Sequence, residues 1–326
     1  MFFQNTEIGI KDMKKPNEVR IFESSEKKLE LILSEESPSL RTLPEKFWQK
    51  VITACGANII SSKTYTSVTA YLLSESSLLI WDHRMIMITC GKTVLPKALL
   101  KVLKTVSKDQ LNFLFFQRKN EFFPEHQKSC FSKDLQIIKK KIKGKAWRFG
   151  PIHQHHCSLF YMETESRPNP KDQTLEILMY DSQTIQDTSK NSMTSMKSRL
   201  QQIFPGFDIQ DHYFTPSGYS LNALREEEYY TIHITPQLPV FYISFEAGFQ
   251  NRSFREITDK LLRIFQPQSF DLIFFYTMEQ NRELYDNPDF FKASWHHCVL
   301  NCGYEVSYMN FQTTKTNPSP PLPVND

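Results

Sequence analysis

The stretch Leu72-Leu73-Ser74-Glu75-Ser76-Ser77 lies between two β-rich runs, at residues 68–73 and 77–81, and a third run at 84–89 leads into Thr89-Cys90-Gly91. A short Ser- and Glu-containing link between apolar runs is typical of a turn that connects two strands. The sequence therefore predicts three successive strands here, with the Ser-Glu-Ser-Ser segment at the first connection.

Outside this stretch, strand-like runs alternate with amphipathic helices. Two sets of apolar residues at helical spacing predict helices: Leu95, Ala98, Leu99, Val102, Leu103 and Val106, then Phe254, Ile257, Leu261, Leu262 and Phe265. Residues 229–235 and 240–246 are consecutive strand-like runs, and their short connection favours antiparallel pairing. Strands covered by helices predict a layered α+β fold.

Composition excludes several classes of protein. The 326-residue chain is 40% apolar with 26 Phe and a net charge of +3, which favours a globular protein without a nucleic-acid or membrane surface. No apolar stretch has membrane-spanning length, and the amino terminus is too charged for a signal peptide. We therefore expect a cytoplasmic protein with no nucleic-acid or membrane partner.

Cysteine and histidine usage gives no sign of a disulfide framework or a metal site. Cys55, Cys90 and Cys157 adjoin apolar runs, as buried free thiols do. The histidine-rich clusters at residues 153–157 and 295–302 lack the paired spacing of a zinc finger. The sequence therefore predicts no metal.

The two ends of the chain differ in composition from its middle. Residues 1–19 are polar and predict a loose extension, whereas residues 313–326 contain four prolines and predict an extended tail. Residues 20–312 are expected to form the folded domain. The chain has only 9 Gly and no glycine-rich loop, so neither a P-loop nor a dinucleotide fingerprint is available.

A set of ordered motifs resembles the eukaryotic-type S-adenosylmethionine decarboxylase family, whose members depend on a pyruvoyl group. The motifs are Phe22-Glu23-x-x-Glu26-Lys27-x-Leu29-Glu30, Leu40-Arg41-Thr42, Leu72-Leu73-Ser74-Glu75-Ser76-Ser77, Thr89-Cys90-Gly91, Arg118-Lys119-Asn120, Asp172-Gln173-Thr174-Leu175-Glu176-Ile177-Leu178-Met179, Pro216-x-Gly218-Tyr219-Ser220-x-Asn222, Thr231-Ile232-His233-Ile234-Thr235-Pro236 and Ser244-Phe245-Glu246. The resemblance runs from about residue 20 to about residue 311. It implies a four-layer α/β/β/α sandwich with two antiparallel sheets packed face to face.

The resemblance also implies that the chain cuts itself between Glu75 and Ser76. The cut would leave a β chain that ends at residue 75 and an α chain that begins at residue 76, with Ser76 converted to the pyruvoyl cofactor. Ser220 and His233 match the residues that assist this processing in the family. Cys90 matches the general acid that protonates the product of decarboxylation.

Six residues match the substrate site of the family. They are Phe22, Glu23, Glu26, Leu73, Phe214 and Gln237. The two phenylalanines would enclose the adenine ring, and the Leu73 backbone would reach the edge of the base. Glu23 and Glu26 would lie near the site, although their spacing also suits an acidic pair at a helix start. Gln237 replaces the ribose-binding glutamate of the family, which weakens each hydrogen bond because a charged acceptor becomes a neutral one.

Five further residues match an acidic site that binds putrescine in animal members of the family. They are Glu30, Asp172, Thr174, Glu176 and Glu246. Asp172, Thr174 and Glu176 alternate, which predicts one face of a single strand. Buried carboxylates need cationic compensation or protonation, and the family lysine two residues before the cysteine is Ile88 here. A putrescine-like diamine, or an internal Lys or Arg, would supply the missing charge.

The activity that the resemblance implies is conversion of S-adenosyl-L-methionine to decarboxylated S-adenosylmethionine and CO₂, for spermidine and spermine synthesis. Because Gln237 replaces the ribose-binding glutamate, a pyruvoyl-dependent decarboxylase of another amino acid, such as ornithine or arginine, remains the alternative function. A non-catalytic regulatory paralogue is disfavoured because Ser76, Cys90, Ser220 and His233 are all present. The expected assembly is the pair of self-cleaved α and β chains, alone or as a homodimer of αβ units.

Overall fold

The computed structural model describes residues 26–185, 187–237, 240–250, 252–277 and 285–313 of the chain, without the side chains of Gln237 and Val240. Sixteen strands of these residues form two eight-stranded sheets. The extension at 1–19 lies outside the described residues, as does the tail beyond Thr313, the last residue of the final strand.

The first sheet is built from the N-terminal half of the chain. Its strands are β1 (Lys27–Leu33), β2 (Ile59–Thr64), β3 (Thr69–Leu73), β4 (Ser76–Ile80), β5 (Arg84–Thr89), β6 (Leu111–Lys119), β7 (Gly144–Phe149) and β8 (Cys157–Met162). They lie in the order β2-β3-β4-β5-β1-β6-β8-β7, and each neighbouring pair is antiparallel. The first strand of the sheet in sequence, β1, therefore lies between β5 and β6.

The second sheet repeats this strand order with the C-terminal half. Its strands are β9 (Thr174–Tyr180), β10 (Asp208–Tyr213), β11 (Tyr219–Arg225), β12 (Glu228–Gln237), β13 (Val240–Gly248), β14 (Ser269–Thr277), β15 (Phe290–Val299) and β16 (Tyr304–Thr313). They lie in the order β10-β11-β12-β13-β9-β14-β16-β15, again with antiparallel neighbours.

Helices cover the outer faces of both sheets. They are α1 (Glu45–Cys55), α2 (Leu95–Val102), α3 (Phe131–Lys139), α4 (Lys190–Ile203) and α5 (Phe254–Phe265). Apolar residues of α1, α2 and α3 pack on the first sheet, and those of α4 and α5 pack on the second. Between the sheets, residues of both meet, such as Phe115 with Phe275 and Trp81 with Tyr229. The four-layer α/β/β/α arrangement expected from the resemblance is confirmed.

The predicted strands around Ser74-Glu75 and at 229–246 agree with these elements, whereas one predicted helix ends early. The three predicted strands are β3, β4 and β5, and the predicted antiparallel pair is β12 with β13. Helix α2 ends at Val102 instead of continuing to Val106, because the amides of Lys104 and Thr105 bond three residues back, as in a tight turn. Val106 still packs in the same apolar cluster as α2, so its spacing from Val102 in the sequence indicates burial and not continuation of the helix.

Alternation along β4 decides which side chains reach the space between the sheets. Leu78 and Ile80 pack with the helices, whereas Leu79 packs toward the second sheet and Ser77 bonds to a residue of that sheet. All six cysteines are free, and Cys55, Cys90 and Cys157 are buried, as predicted. No helix among the described residues is long and apolar enough to cross a membrane.

Candidate active site

The Ser74-Glu75 turn joins β3 to β4 as a two-residue hairpin connection, with Leu73 paired to Ser76. Ser76 is 2% exposed and has a φ of 141°, a backbone conformation that residues with a side chain rarely adopt. Strained φ/ψ values of this kind cost on the order of 1–3 kcal/mol and concentrate at functional sites. The backbone is therefore strained at Ser76, the residue directly after the Glu75–Ser76 peptide bond.

Two donors from Cys90 reach the carbonyl oxygen of Glu75. The backbone N–H of Cys90 donates to this oxygen at 2.9 Å, and the thiol Sγ lies 3.4 Å from it. The hydroxyl of Ser76 lies 3.7 Å from the same sulfur. Register positions these groups, because Ser76 pairs with Thr89 of β5, and Cys90 follows directly. Donors aimed at a carbonyl oxygen stabilise the negative charge that develops there during attack on the carbon.

The Cys90 thiol is held in its protonated form. Burial, with the Glu75 charge nearby, raises the pKa of Cys90 to about 12. The segment is fixed from the other side by Lys27, whose buried amino group donates to the Gly91 carbonyl at 2.7 Å. A protonated thiol in a fixed position is suited to donate a proton or a hydrogen bond.

Ser220 and His233 lie opposite this turn, on β11 and β12 of the second sheet. They are direct cross-strand partners, and Ser220 Oγ lies 2.9 Å from His233 Nδ1. His233 is 4% exposed, and burial lowers its pKa to about 3, so the imidazole is neutral. A neutral imidazole retains a nitrogen lone pair and can therefore act as a base.

A cavity of about 290 Å³ connects the two sets of groups. Its lining includes Glu75, Ser76, Cys90, Phe214, Ser220 and His233. Phe214 belongs to the segment between β10 and β11, and its N–H donates to the Gly218 carbonyl at 2.9 Å. Gly218 has a φ of 128°, and an added Cβ would lie 3.3 Å from that of Phe214. Glycine at 218 therefore permits the turn that holds Phe214 at the cavity.

The other predicted substrate residues are only partly described. Leu73 is buried at the end of β3, and Glu26 directly precedes β1. The helix-start interpretation of Glu26 is wrong, because the chain enters a strand there and not a helix. Burial, with the Glu176 charge nearby, raises the pKa of Glu26 to about 8. Phe22, Glu23 and the side chain of Gln237 lie outside what the structure describes.

The predicted acidic cluster is brought together between the sheets around Lys28. The Lys28 amino group lies 3.0 Å from Glu246, 3.1 Å from Glu176 and 3.7 Å from Glu30. Burial favours the neutral form of Lys28, but these carboxylates outweigh it and raise the pKa of the amine well above its usual value. Burial raises the pKa of Glu246 to about 7, so this carboxyl group stays protonated to a higher pH than an exposed glutamate does.

A second cation, Arg84, completes the cluster at its solvent side. Its guanidinium donates to Glu30 at 2.7 Å and to Asp172 at 2.9 Å, and Tyr304 donates to Asp172 at 2.6 Å. Asp172 is not on a strand with Thr174 and Glu176 as predicted, because a turn bond from its N–H to the Asn169 carbonyl precedes β9. Thr174 and Glu176 do share a face of β9, and both are buried.

The structure adds functional candidates that the sequence did not single out. Ser77 Oγ lies 2.6 Å from Asn222 Oδ1 and 3.4 Å from His233 Nε2. One signal was available for Asn222, which is two residues from Ser220 and so shares its strand face. Lys28 had no comparable signal, because its role depends on Glu176 and Glu246, which lie on two strands of the other sheet.

The two histidine-rich clusters make ordinary polar contacts. His155 lies before β8 and contacts the buried carboxylate of Asp271 at 3.3 Å, and His297 on β15 contacts Glu305 at 2.7 Å. Within the residues that the structure describes, no group of three or more His, Cys, Asp or Glu is arranged to hold a metal ion.

Comparison with known proteins gives one consistent result. Residues 19–312 match the family model described as adenosylmethionine decarboxylase. The S-adenosylmethionine decarboxylase proenzyme of Leishmania donovani is 30% identical over 282 residues, which are 79% of this chain and 74% of the relative. The proenzyme of Caenorhabditis elegans is 32% identical over 288 residues, or 81% of this chain and 78% of the relative.

A solved structure shares the fold. The crystal structure of the Trypanosoma brucei AdoMetDC-delta26 monomer superposes with a TM-score of 0.57 at 21% sequence identity, covering 73% of this chain and 99% of that one. At this level of identity the likeness concerns the fold alone.

Proposed function

The chain belongs to the adenosylmethionine decarboxylase family, and from this premise we propose that it is a self-cleaving, pyruvoyl-dependent decarboxylase of S-adenosylmethionine. The observation that carries the proposal is the strained Ser76, whose preceding carbonyl accepts from both donors of Cys90 while Ser220 and His233 line the same cavity. The residues present fit formation of a pyruvoyl group at position 76.

The first step is an amide-to-ester shift at Ser76. Its hydroxyl oxygen attacks the Glu75 carbonyl carbon, and the oxyanion that forms is stabilised by the N–H and thiol of Cys90. The C–N bond then breaks, the amine of residue 76 takes a proton, and Glu75 is left as an ester on the Ser76 oxygen. Release of backbone strain at Ser76 favours this otherwise uphill shift.

The second step is elimination from the ester. His233, neutral because it is buried, removes the Cα proton of residue 76, and the Cβ–O bond breaks so that Glu75 leaves as a carboxylate. Residue 76 is then dehydroalanine, and its hydrolysis releases ammonia and leaves the pyruvoyl group. The product is two polypeptide chains, residues 1–75 and residues 76–326.

In decarboxylation, a pyruvoyl group at position 76 would act as the sink for the electrons that CO₂ leaves behind. Phe214 would stack on the adenine of the substrate, and Cys90, a protonated thiol, would return a proton to the substrate carbon. A positioned proton donor contributes roughly 10²–10⁴ in rate. The two relatives compared above, both named S-adenosylmethionine decarboxylase proenzyme, favour this substrate over ornithine or arginine.

Cleavage is the first test of the proposal. Purified protein should show two chains on denaturing electrophoresis, and the larger should resist Edman sequencing because its terminus is a ketone. Ser76→Ala should give one uncut chain. A wild-type protein that stays full-length after prolonged incubation would exclude the decarboxylase and support the regulatory paralogue.

The substrate is tested separately, on cleaved protein. Release of ¹⁴CO₂ from carboxyl-labelled S-adenosylmethionine should greatly exceed release from labelled ornithine or arginine. Turnover of a diamino acid without turnover of S-adenosylmethionine would contradict the substrate while leaving the cleavage chemistry intact.

The acidic cluster suggests how activity is regulated. We infer that Lys28 supplies internally the positive charge that a bound diamine supplies in animal members of the family, with Arg84 as the second cation. Support comes from register, because Lys28 pairs directly with Ile88, the position where the family lysine is missing. The enzyme should then work without putrescine, and Glu30, Glu176 and Glu246 would serve as ligands of an internal cation.

A further inference from the structure

A chain of hydrogen bonds extends from His233 away from the cavity. Ser77 Oγ lies 3.4 Å from His233 Nε2 and 2.6 Å from Asn222 Oδ1, and Asn222 Nδ2 donates to the Tyr71 carbonyl at 3.3 Å. Asn222 is fully buried and Ser77 is 1% exposed, so water does not compete for these bonds. The bonds join the two sheets directly behind the imidazole.

The direction of this chain is fixed by its far end. If the Asn222 amide were reversed, its oxygen would lie 3.3 Å from another acceptor, the Tyr71 carbonyl, so the NH₂ group must point there. Oδ1 then faces Ser77 and accepts its only hydroxyl proton. Ser77 is left as an acceptor toward His233, which must place its own proton on Nε2 to bond with it.

We propose that Asn222 and Ser77 are positioning residues that select the His233 tautomer with the proton on Nε2. In this tautomer Nδ1 keeps its lone pair and accepts the Ser220 hydroxyl proton across 2.9 Å. In the other tautomer Nδ1 would carry the proton, and the only lone pair of the ring would face Ser77, away from Ser220. Selection of the tautomer therefore keeps the basic nitrogen on the Ser220 side of the ring.

The proposal rests on the self-cleavage described above, because cleavage is its readout. Three titratable groups face this region: Glu75 and Cys90 line the same cavity from the first sheet, and Glu26 lies beside Ser244, the cross-strand partner of His233 on β13. None of the three is a partner in the hydrogen bonds of the ring. The tautomer is therefore controlled from Ser77 and, through it, from Asn222.

The test is the rate and end point of cleavage in purified full-length variants. Ser77→Ala should slow elimination roughly 10–100-fold, a part of what a general base contributes, and uncut protein should accumulate as an ester that hydroxylamine cleaves. Ser77→Thr keeps the hydroxyl and should restore most of the rate. Thr231→Val is the matched control. Thr231 lies two residues from His233, and its buried hydroxyl has no hydrogen-bond partner among the described residues. The variant loses this hydroxyl and should cleave normally.

The pH dependence of the cleavage rate distinguishes a positioning role of Asn222 from a packing role. Asn222→Asp preserves the acceptor toward Ser77 but adds a titrating carboxylate to the chain of bonds, which favours protonation near His233. The loss of cleavage at acidic pH should therefore begin at a higher pH than in wild type. A purely structural effect would lower the rate equally at all pH values.

The outcomes are distinguishable. If wild-type protein does not cleave, the proposed function fails; if it cleaves and Ser77→Ala and Asn222→Asp cleave with wild-type rate and pH profile, only the tautomer proposal is overturned. The proposal is also overturned if Ser77→Ala is slow without a hydroxylamine-sensitive ester, since the defect would then precede elimination.

Discussion

At the scale of single residues, burial decides the protonation state of the groups around the cavity. Burial keeps the Cys90 thiol protonated and His233 neutral, and it raises the pKa of Glu26 to about 8. A protein that must both donate and accept protons at one place can therefore do so without a metal-bound water or a charged imidazole. The same burial makes stability depend on pH.

Glu26→Gln should change how stability varies with pH. The pKa of Glu26 rises from 4.5 to about 8 on folding, so the unfolded chain releases this proton first, and the free energy of unfolding falls as pH rises through that window. Glutamine has no proton to release, so the variant should show a shallower fall. Urea unfolding at a series of pH values measures the difference.

The exposed Glu36→Gln is the control for this measurement and should keep the wild-type slope. His233 acts in the opposite sense, because its lowered pKa makes stability rise with pH between about 3 and 6.5. The comparison of variant with wild type removes that contribution. Equal slopes for Glu26→Gln and wild type would show that Glu26 is ionised in the folded protein.

At the scale of elements, the pairing of β1 with β5 sets the charge between the sheets. Lys28 and Ile88 are direct partners in this ladder, so one face offers two positions from which a lysine reaches the same carboxylates. Neighbouring side chains of a ladder stand close to each other. In the proposed regulation, a lysine on β1 thus takes the place of one on β5 and contacts the same carboxylates.

Lys28→Leu should destabilise the protein by about 3–5 kcal/mol, because it leaves buried carboxylates without their cation. Ile88→Lys in the same chain should recover much of this loss, and millimolar putrescine should stabilise the single variant more than wild type. Thermal melting with and without putrescine measures both effects.

Lys63→Leu is the matched control, since Lys63 pairs with Asp208 on the surface, where both side chains are about half exposed. Surface pairs contribute about 0–1 kcal/mol, so this variant should melt close to wild type. An equal putrescine response in wild type and Lys28→Leu would contradict the idea of an internal cation.

Strands and site residues were predictable from sequence to different degrees. The β-rich runs around Ser74-Glu75 predicted β3, β4 and β5, because the composition of a buried strand is local information. The resemblance assigned roles to Ser76, Cys90 and His233 but none to Ser77, whose partner Asn222 lies 145 residues further along the chain. Partners of that kind depend on how the two sheets face each other. Asp172 shows a different error, because the alternating pattern of Asp172, Thr174 and Glu176 begins two residues before the strand does.

At the scale of the whole molecule, the first sheet combines segments from both sides of the proposed scissile bond between Glu75 and Ser76. Strands β1, β2 and β3 precede Ser76, whereas β4 to β8 follow it, and β1 lies between β5 and β6. The interior residues Leu29 and Leu31 of β1 are completely buried. The proposed cut would therefore open the Ser74-Glu75 turn and leave both ladders of β1 in place.

The short chain should therefore stay bound after cleavage. Cleaved protein should elute from a size-exclusion column at the same volume as uncut Ser76→Ala, and both chains should appear in that peak on denaturing electrophoresis. Separation should require denaturant, because β1 must lose two ladders at once. A short chain that elutes alone under native conditions would contradict this arrangement.

The inserted position of β1 also has a consequence for reversibility. Before the cut, β1 and its two neighbours belong to one polymer, and the connecting residues hold them at a high effective concentration. After the cut, an unfolded molecule must bring two separate polymers together again, so reassembly becomes a bimolecular reaction that slows as the protein is diluted. Folding must then come first and cutting second, and the mature molecule persists through the height of its unfolding barrier.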